Sequence, residues 1–206
     1  MDRRTALKNI TLTFGYAVAT PTVLSVLQSC KSNVATWIPI FFSPSQGYMI
    51  TQLTDIILPS SDIAGALDVN VPEFMDKMLH DIAPEDKRSI IKEGAIAFEK
   101  EFQNVYKKDV LKGSNEEYEK LLKKYFDISE AEKAAVFKMQ NTEENIAEED
   151  LNKYLIYKFL LATREYTLFG YYTSELVGET ILSYDPVPGS WQSCIPVNEI
   201  GNSWSL

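Results

Sequence analysis

The sequence predicts an all-α protein, an irregular bundle of about six to eight helices after an N-terminal export leader. Three observations carry that prediction. No stretch of the 206 residues alternates convincingly at the period of two that a half-buried strand requires. Apolar residues recur instead at i, i+3 and i+4, which gathers them on one face of a helix. Serine followed three residues later by glutamine or glutamate, the capping-box signature of a helix start, occurs at Ser43, Ser114 and Ser129.

Residues 1–29 read as an address. Arg3 and Arg4 form a twin arginine followed by Leu7 and Lys8. The segment from Ile10 to Leu27 is apolar but diluted by Thr11, Thr13, Gly15, Thr20, Pro21 and Ser25. A membrane span is more continuously apolar over about 20 residues. Moderate hydrophobicity after two arginines suits a twin-arginine signal, which exports cargo already folded. Leu27-Gln28-Ser29-Cys30 resembles a lipobox, so Cys30 is the expected mature N-terminus and lipid carrier. The alternative is an ordinary thiol just past a signal-peptidase cut. Full acylation at Cys30 buries enough methylenes for stable attachment, where one chain is marginal.

Residues 30–42 are expected to form a tether, extended around Pro39, ahead of a helical domain over 43–206. Ser43 caps the first helix, Pro44 occupies its first position and Met49, Ile50, Leu53, Ile56 and Ile57 form its apolar face. Leu58-Pro59 stops it, and a polar loop with Gly65 at its middle follows. Asn70-Val71-Pro72-Glu73 opens a second helix that buries Phe74, Met75, Met78, Leu79 and Ile82. Pro84 opens a third, with Ile91, Ala95, Phe98, Phe102, Val105 and Tyr106 in helical rhythm and Gly113 ending the element. The boxes at Ser114 and Ser129 start two more. One shows Tyr118, Leu121, Leu122 and Tyr125; the other shows Ala134, Ala135, Val136, Phe137 and Met139.

The tract from Leu151 to Trp191 is the most apolar and aromatic outside the first thirty residues. A helix apolar on most sides is the central one of a bundle. Gly170 is expected to interrupt it, with Thr173 capping a short helix that ends near Leu182. Asp185-Pro186-Val187-Pro188-Gly189 cannot continue a helix. The aromatics of this tract have two readings. One is a buried hairpin of core helices; the other is a docking surface for another protein, made by Gly170-Tyr171-Tyr172 and the loop from Tyr184 to Trp191.

Composition narrows the chemistry. Residues 1–29 hold three basic residues and one acidic one, so their removal takes the net charge from −9 to −11. That balance disfavours nucleic acid and leaves attachment to a membrane to the lipid. With Cys30 lipidated, Cys194 is a lone thiol, most simply a buried small hydrophobe. His80 is the only histidine, and it follows Asp76 by four, the spacing of a helix-surface pair. One histidine cannot supply the two Glu-x-x-His motifs of a di-iron bundle. Neither a Cys-x-x-Cys-His motif nor a glycine-rich nucleotide loop is present. No catalytic, cofactor-binding or metal residue is assigned, and an accessory protein is the expectation.

Leu53-x-x-x-Ile57-Leu58-Pro59, Gly65-Ala66, Val71-x-Glu73-Phe74 and the end from Gly170-Tyr171-Tyr172-Thr173-Ser174 to Pro188-Gly189 occur in a characteristic order. Together they resemble the gluconate 2-dehydrogenase subunit 3 family, over roughly Ser43 to Trp191. The resemblance implies a small subunit paired with an FAD-dependent flavoprotein of the glucose-methanol-choline type, which oxidises a sugar or sugar acid. It implies electron transfer through a cytochrome c subunit, and a twin-arginine leader that exports the folded, FAD-loaded pair to the periplasm. No cofactor is implied in this chain. Pro59, Gly65, Phe74, Tyr171, Tyr172, Pro188, Gly189 and Trp191 are the expected contacts with the large subunit. A lipidated Cys30 departs from the family picture by making this subunit the membrane anchor. The rival reading is a free-standing lipoprotein that binds a glycan or small ligand in an aromatic cleft.

Overall fold

The computed structural model describes residues 37–141, 146–187, 189–190 and 193–205. The chain divides into two units, Met1–Val34 and Ala35–Leu206, and the described residues all belong to the second. The expected leader and lipidation residues, Arg3, Arg4, Leu7, Lys8 and Cys30, therefore lie outside the described residues, as do Pro188 and Trp191.

The described residues form eight α-helices and no strand, as the sequence predicts. In chain order these are α1 Pro44–Ile57, α2 Val71–Asp81, α3 Glu85–Tyr106, α4 Asn115–Phe126, α5 Glu130–Asn141, α6 Glu148–Tyr172, α7 Glu175–Thr180 and α8 Val197–Ile200. A 3₁₀ turn, Val110–Lys112, joins α3 to α4.

The expected starts form for the expected reasons. Ser43 Oγ accepts the Gln46 N–H while Gln46 Oε1 accepts the Ser43 N–H, both at 3.2 Å. Glu117 accepts the Ser114 N–H at 2.8 Å, and Glu132 accepts the Ser129 N–H at 2.9 Å. Each box satisfies two amide donors that a helix start leaves without partners.

The long helix α6 is the axis, and its pairing with α3 is the most extensive in the molecule. The two backbones approach closely at Gly94, where a Cβ would stand 2.4 Å from the Leu155 carbonyl oxygen. α2 packs on the C-terminal half of α6, and α1 crosses beneath α2, α4 and α6. A run of aromatic rings fills the centre. Phe159 lies 5.7 Å from Phe98 and 6.5 Å from Phe42, while Phe102 stacks on Tyr118 at 4.6 Å. Each such pair adds about 0.5–1.5 kcal/mol beyond the burial itself. Burial pushes the Tyr118 and Tyr125 phenols far up from their ordinary range. Both hydroxyls of the Tyr118 and Tyr157 pair with a carbonyl: Tyr118 donates to Val110 at 2.8 Å and Tyr157 to Tyr125 at 2.9 Å.

Several expectations are corrected. α6 runs unbroken through Gly170 to Tyr172, because that glycine packs beneath Phe74 rather than opening a turn. Ser174, not Thr173, precedes the next helix, and the Thr173 hydroxyl donates back to Phe169 O at 2.7 Å. The third helix ends at Tyr106 rather than Gly113, with Lys107 in the left-handed region at φ 55°. Burying Val110 beneath Tyr118 diverts the chain into the 3₁₀ turn, whose Leu111 N–H bonds to Asp109 at 2.8 Å. Ile82 and Val105 are exposed rather than core. α5 has no fully buried residue, so its predicted apolar face rests only partly on α6. Cys194 is exposed, because the tail that carries it stays outside the core.

The tether is also ordered further than expected. Phe42 is buried in the core, and the amides of Ile40, Phe41 and Phe42 all donate to the Asp76 carboxylate, at 2.7, 3.1 and 3.0 Å. The Lys92 ammonium caps the Phe41 ring at 5.2 Å. Residues 40–42 are thereby part of the folded domain.

Candidate interaction site

The C-terminal end of α6 meets α2 and the 58–70 loop at one corner of the molecule. Phe169 and Tyr172 stand three positions apart, hence on one face of α6, and are 49% and 53% exposed. Phe74 of α2 is half-buried and tilts against Phe169 with ring centroids 5.7 Å apart. Gly170 admits that arrangement: a Cβ there would lie 2.6 Å from Phe74 Cδ1. Leu176 on α7 and Ile63 in the loop are exposed as well.

Beneath these exposed rings the corner is tightly built. Tyr171 is buried in a small apolar cluster with Ala66, Val71 and Val177. Its hydroxyl donates to Ala64 O at 2.8 Å, across 107 positions of sequence. Burial raises its phenol, and Tyr172 and Asp68 push the same way. Asp68 in turn closes the loop, accepting the Ser60 hydroxyl and, at 2.7 Å, the Gly65 N–H. Those two bonds, Ser60 first, hold its carboxyl below the ordinary range.

Four of the expected contact residues, Gly65, Phe74, Tyr171 and Tyr172, thus meet at this corner, with Pro59 on the same loop. Two of them have a different part from the one expected. Tyr171 and Gly65 are buried and shape the surface from below, because the side of α6 that carries Tyr171 is needed to hold the loop. Gly189 is exposed, and a Cβ built on it meets no described atom within 4 Å. The sequence reading missed Phe169 as a surface residue. Its i, i+3 relation to Tyr172 was the available signal.

Catalytic machinery does not assemble around the single histidine. The His80 ring is exposed and pairs with Asp81 at 2.6 Å, not with Asp76. Asp76 is buried with its oxygens on the three amides of residues 40–42, which leaves it no part in orienting an imidazole. Among the described residues, no group of three or more His, Cys, Asp or Glu side chains is placed to hold a metal ion. No described helix is long and apolar enough to cross a membrane.

The fold therefore defines a class first: an all-α protein packed around one long helix that presents a preformed aromatic corner. Residues 44–189 match the family model described as gluconate 2-dehydrogenase subunit 3, and the chain belongs to that family. No curated protein and no solved structure matches the chain. The family is that of a subunit within a gluconate dehydrogenase complex.

Proposed function

We propose that this chain is the non-catalytic small subunit of an extracytoplasmic dehydrogenase. Its large partner is an FAD-dependent flavoprotein of the glucose-methanol-choline type that oxidises a sugar or sugar acid. The small subunit supports the partner's folding, export and membrane attachment. FAD and substrate belong to the partner, and a cytochrome c subunit takes the electrons.

The observation that carries this reading is the α2–α6 corner. Phe169 and Tyr172 are exposed on a helix end fixed by Gly170, Phe74 and the Tyr171–Ala64 hydrogen bond. Aromatic residues held rigidly at a surface are what protein interfaces enrich, and a preformed site loses little entropy on association. The same helix α2 holds residues 40–42 through Asp76. A twin-arginine leader preceding that segment would pull on a folded unit, as export of a cofactor-loaded pair demands. Lipid on Cys30 would then hold the exported pair at a membrane.

The deciding experiment co-expresses the chain with a candidate FAD-dependent flavoprotein of that type from the same genome. We expect the two to purify together with flavin absorbance, and Arg3→Lys, Arg4→Lys to strand the flavoprotein in the cytoplasm. Export unchanged by that double substitution sinks the leader's part in the proposal. A flavoprotein that never co-purifies sinks the subunit reading itself.

A further inference from the structure

A second feature lies on the other half of α6. Between α4, α5 and α6 is a cavity of about 230 Å³, walled by Tyr125, Ile128, Val136, Phe137, Tyr157 and Leu161. Tyr172 lies eleven residues beyond Leu161, about 16 Å along the helix, so this cavity is separate from the aromatic corner.

Three observations make it a binding site rather than loose packing. Phe137 stands at the rim of this pocket, which is open to solvent on one side, and is 72% exposed instead of folding inward to fill it. The polar groups of the wall are directed elsewhere. The Tyr157 hydroxyl donates to Tyr125 O at 2.9 Å, Lys133 pairs with Glu130 at 2.7 Å, and Gln140 Nε2 donates to Tyr154 O at 3.2 Å. Gln140 Oε1 has no donor but is buried in the wall. Finally, the roof is lightly held: α5 buries no side chain fully and is tied to α6 chiefly through Gln140, at Tyr154 and Lys158.

A wall of hydrocarbon and aromatic surface, whose one unpaired acceptor, Gln140 Oε1, is buried out of a guest's reach, selects an apolar guest. We propose that this cavity binds a single aliphatic chain, the tail of a one-chain amphiphile, with α5 as its lid. An apolar cavity of about 150 Å³ accommodates benzene, so 230 Å³ holds about nine carbons. The site does not depend on the function proposed above. The occupant is a free hydrocarbon tail and not a side chain of a partner protein.

The test is titration calorimetry of the full chain, carrying Cys30→Ser so that no lipid is attached and detergent is unnecessary. The probes are straight-chain alcohols from hexanol to dodecanol. Each added methylene should tighten binding about fourfold up to about nine carbons and then have little further effect. Val136→Phe, which fills the cavity, should weaken nonanol at least about tenfold. A circular dichroism melt checks that this variant is folded, and Leu161→Phe serves in its place if it is not. Binding that rises steadily to dodecanol, or that both filled variants retain, overturns the proposal. So does failure of every alcohol to bind, and so does protection of Phe137→Cys from maleimide by the large subunit but not by nonanol.

Discussion

The Asp76 carboxylate receives the Phe42 N–H at 3.0 Å, and with it the N–H groups of Ile40 and Phe41 just ahead of α1. Asp76 is buried, and its carboxylate accepts three successive amides from residues 40–42, where the chain bends. Hydrogen bonds to a charged acceptor contribute about 1.5–3 kcal/mol, so this is a substantial contact for a short segment. Asp76→Ala leaves a buried amide at Phe42 without an acceptor. It should lower unfolding stability by about 2–4 kcal/mol, read as a fall in the urea midpoint with unchanged slope. Limited proteolysis should then cut near residues 37–42 before any other site; unaltered protection there would refute the contact's importance.

Gly94 and Gly170 differ in what faces them, and their alanine variants should differ accordingly. At Gly94 the obstacle is the backbone oxygen of Leu155 at 2.4 Å, which cannot rotate away. Gly94→Ala should therefore force α3 from α6 and cost about 2–3 kcal/mol or more. At Gly170 the obstacle is a half-exposed Phe74 ring, which can swing outward, and the helix gains about 1 kcal/mol from alanine. Gly170→Ala should change thermal stability little and instead disturb the corner. Equal melting points for the two variants would contradict the close approach at Gly94.

Phe169 and Tyr172 are exposed in the isolated chain, so their removal should leave the fold within about 0.5 kcal/mol of the parent. Interface anchors are a different matter, costing about 2 kcal/mol or more apiece. Phe169→Ala and Tyr172→Ala should each weaken assembly with the large subunit about thirtyfold, measured by surface plasmon resonance. Loss of stability without loss of affinity would mean the rings serve the fold.

Cys194 is exposed and Cys30 is the only other cysteine. With the proposed lipid on Cys30, the chain should take up one equivalent of maleimide without denaturant, and no second equivalent after unfolding. A second reactive thiol in the unfolded chain rules out lipid on Cys30.

Acid should loosen two defined places. Glu117 is held below its ordinary value of 4.5, chiefly by the Lys108 ammonium at 2.6 Å and then by the Ser114 amide. Asp68 is held below 3.8 by Ser60 and Gly65. Carboxyls depressed by folding stabilise the folded state above their ordinary values, and that stability fades as pH falls through the folded values. Asp68 is exposed and Glu117 partly so, and the effect is therefore modest and screened by salt. Amide exchange at the α4 start and in the 58–68 loop should be flat from pH 8 to 5, after correction for intrinsic rates. It should rise only below about pH 4.5. A transition near neutrality would contradict it.

The helix starts at Pro44, Asn115 and Glu130 were legible because a capping box is completed within four residues of chain. The core faces of α1 to α4 followed from period except at Ile82 and Val105, as did α6 as the central helix. The all-α class and the family could be read at that level. The three-dimensional packing settled the rest, since the deciding partners are remote in sequence. Gly170 reads as a break until Phe74 is seen above it. Tyr171 and Tyr172 are indistinguishable as letters, yet one reaches Ala64 across 107 positions and is buried while its neighbour faces outward. Asp76 reads as a partner for His80 and instead holds Phe42, 34 positions away. Local hydrogen bonds and apolar spacing are properties of a short stretch. Which side of a helix meets water depends on everything packed around it.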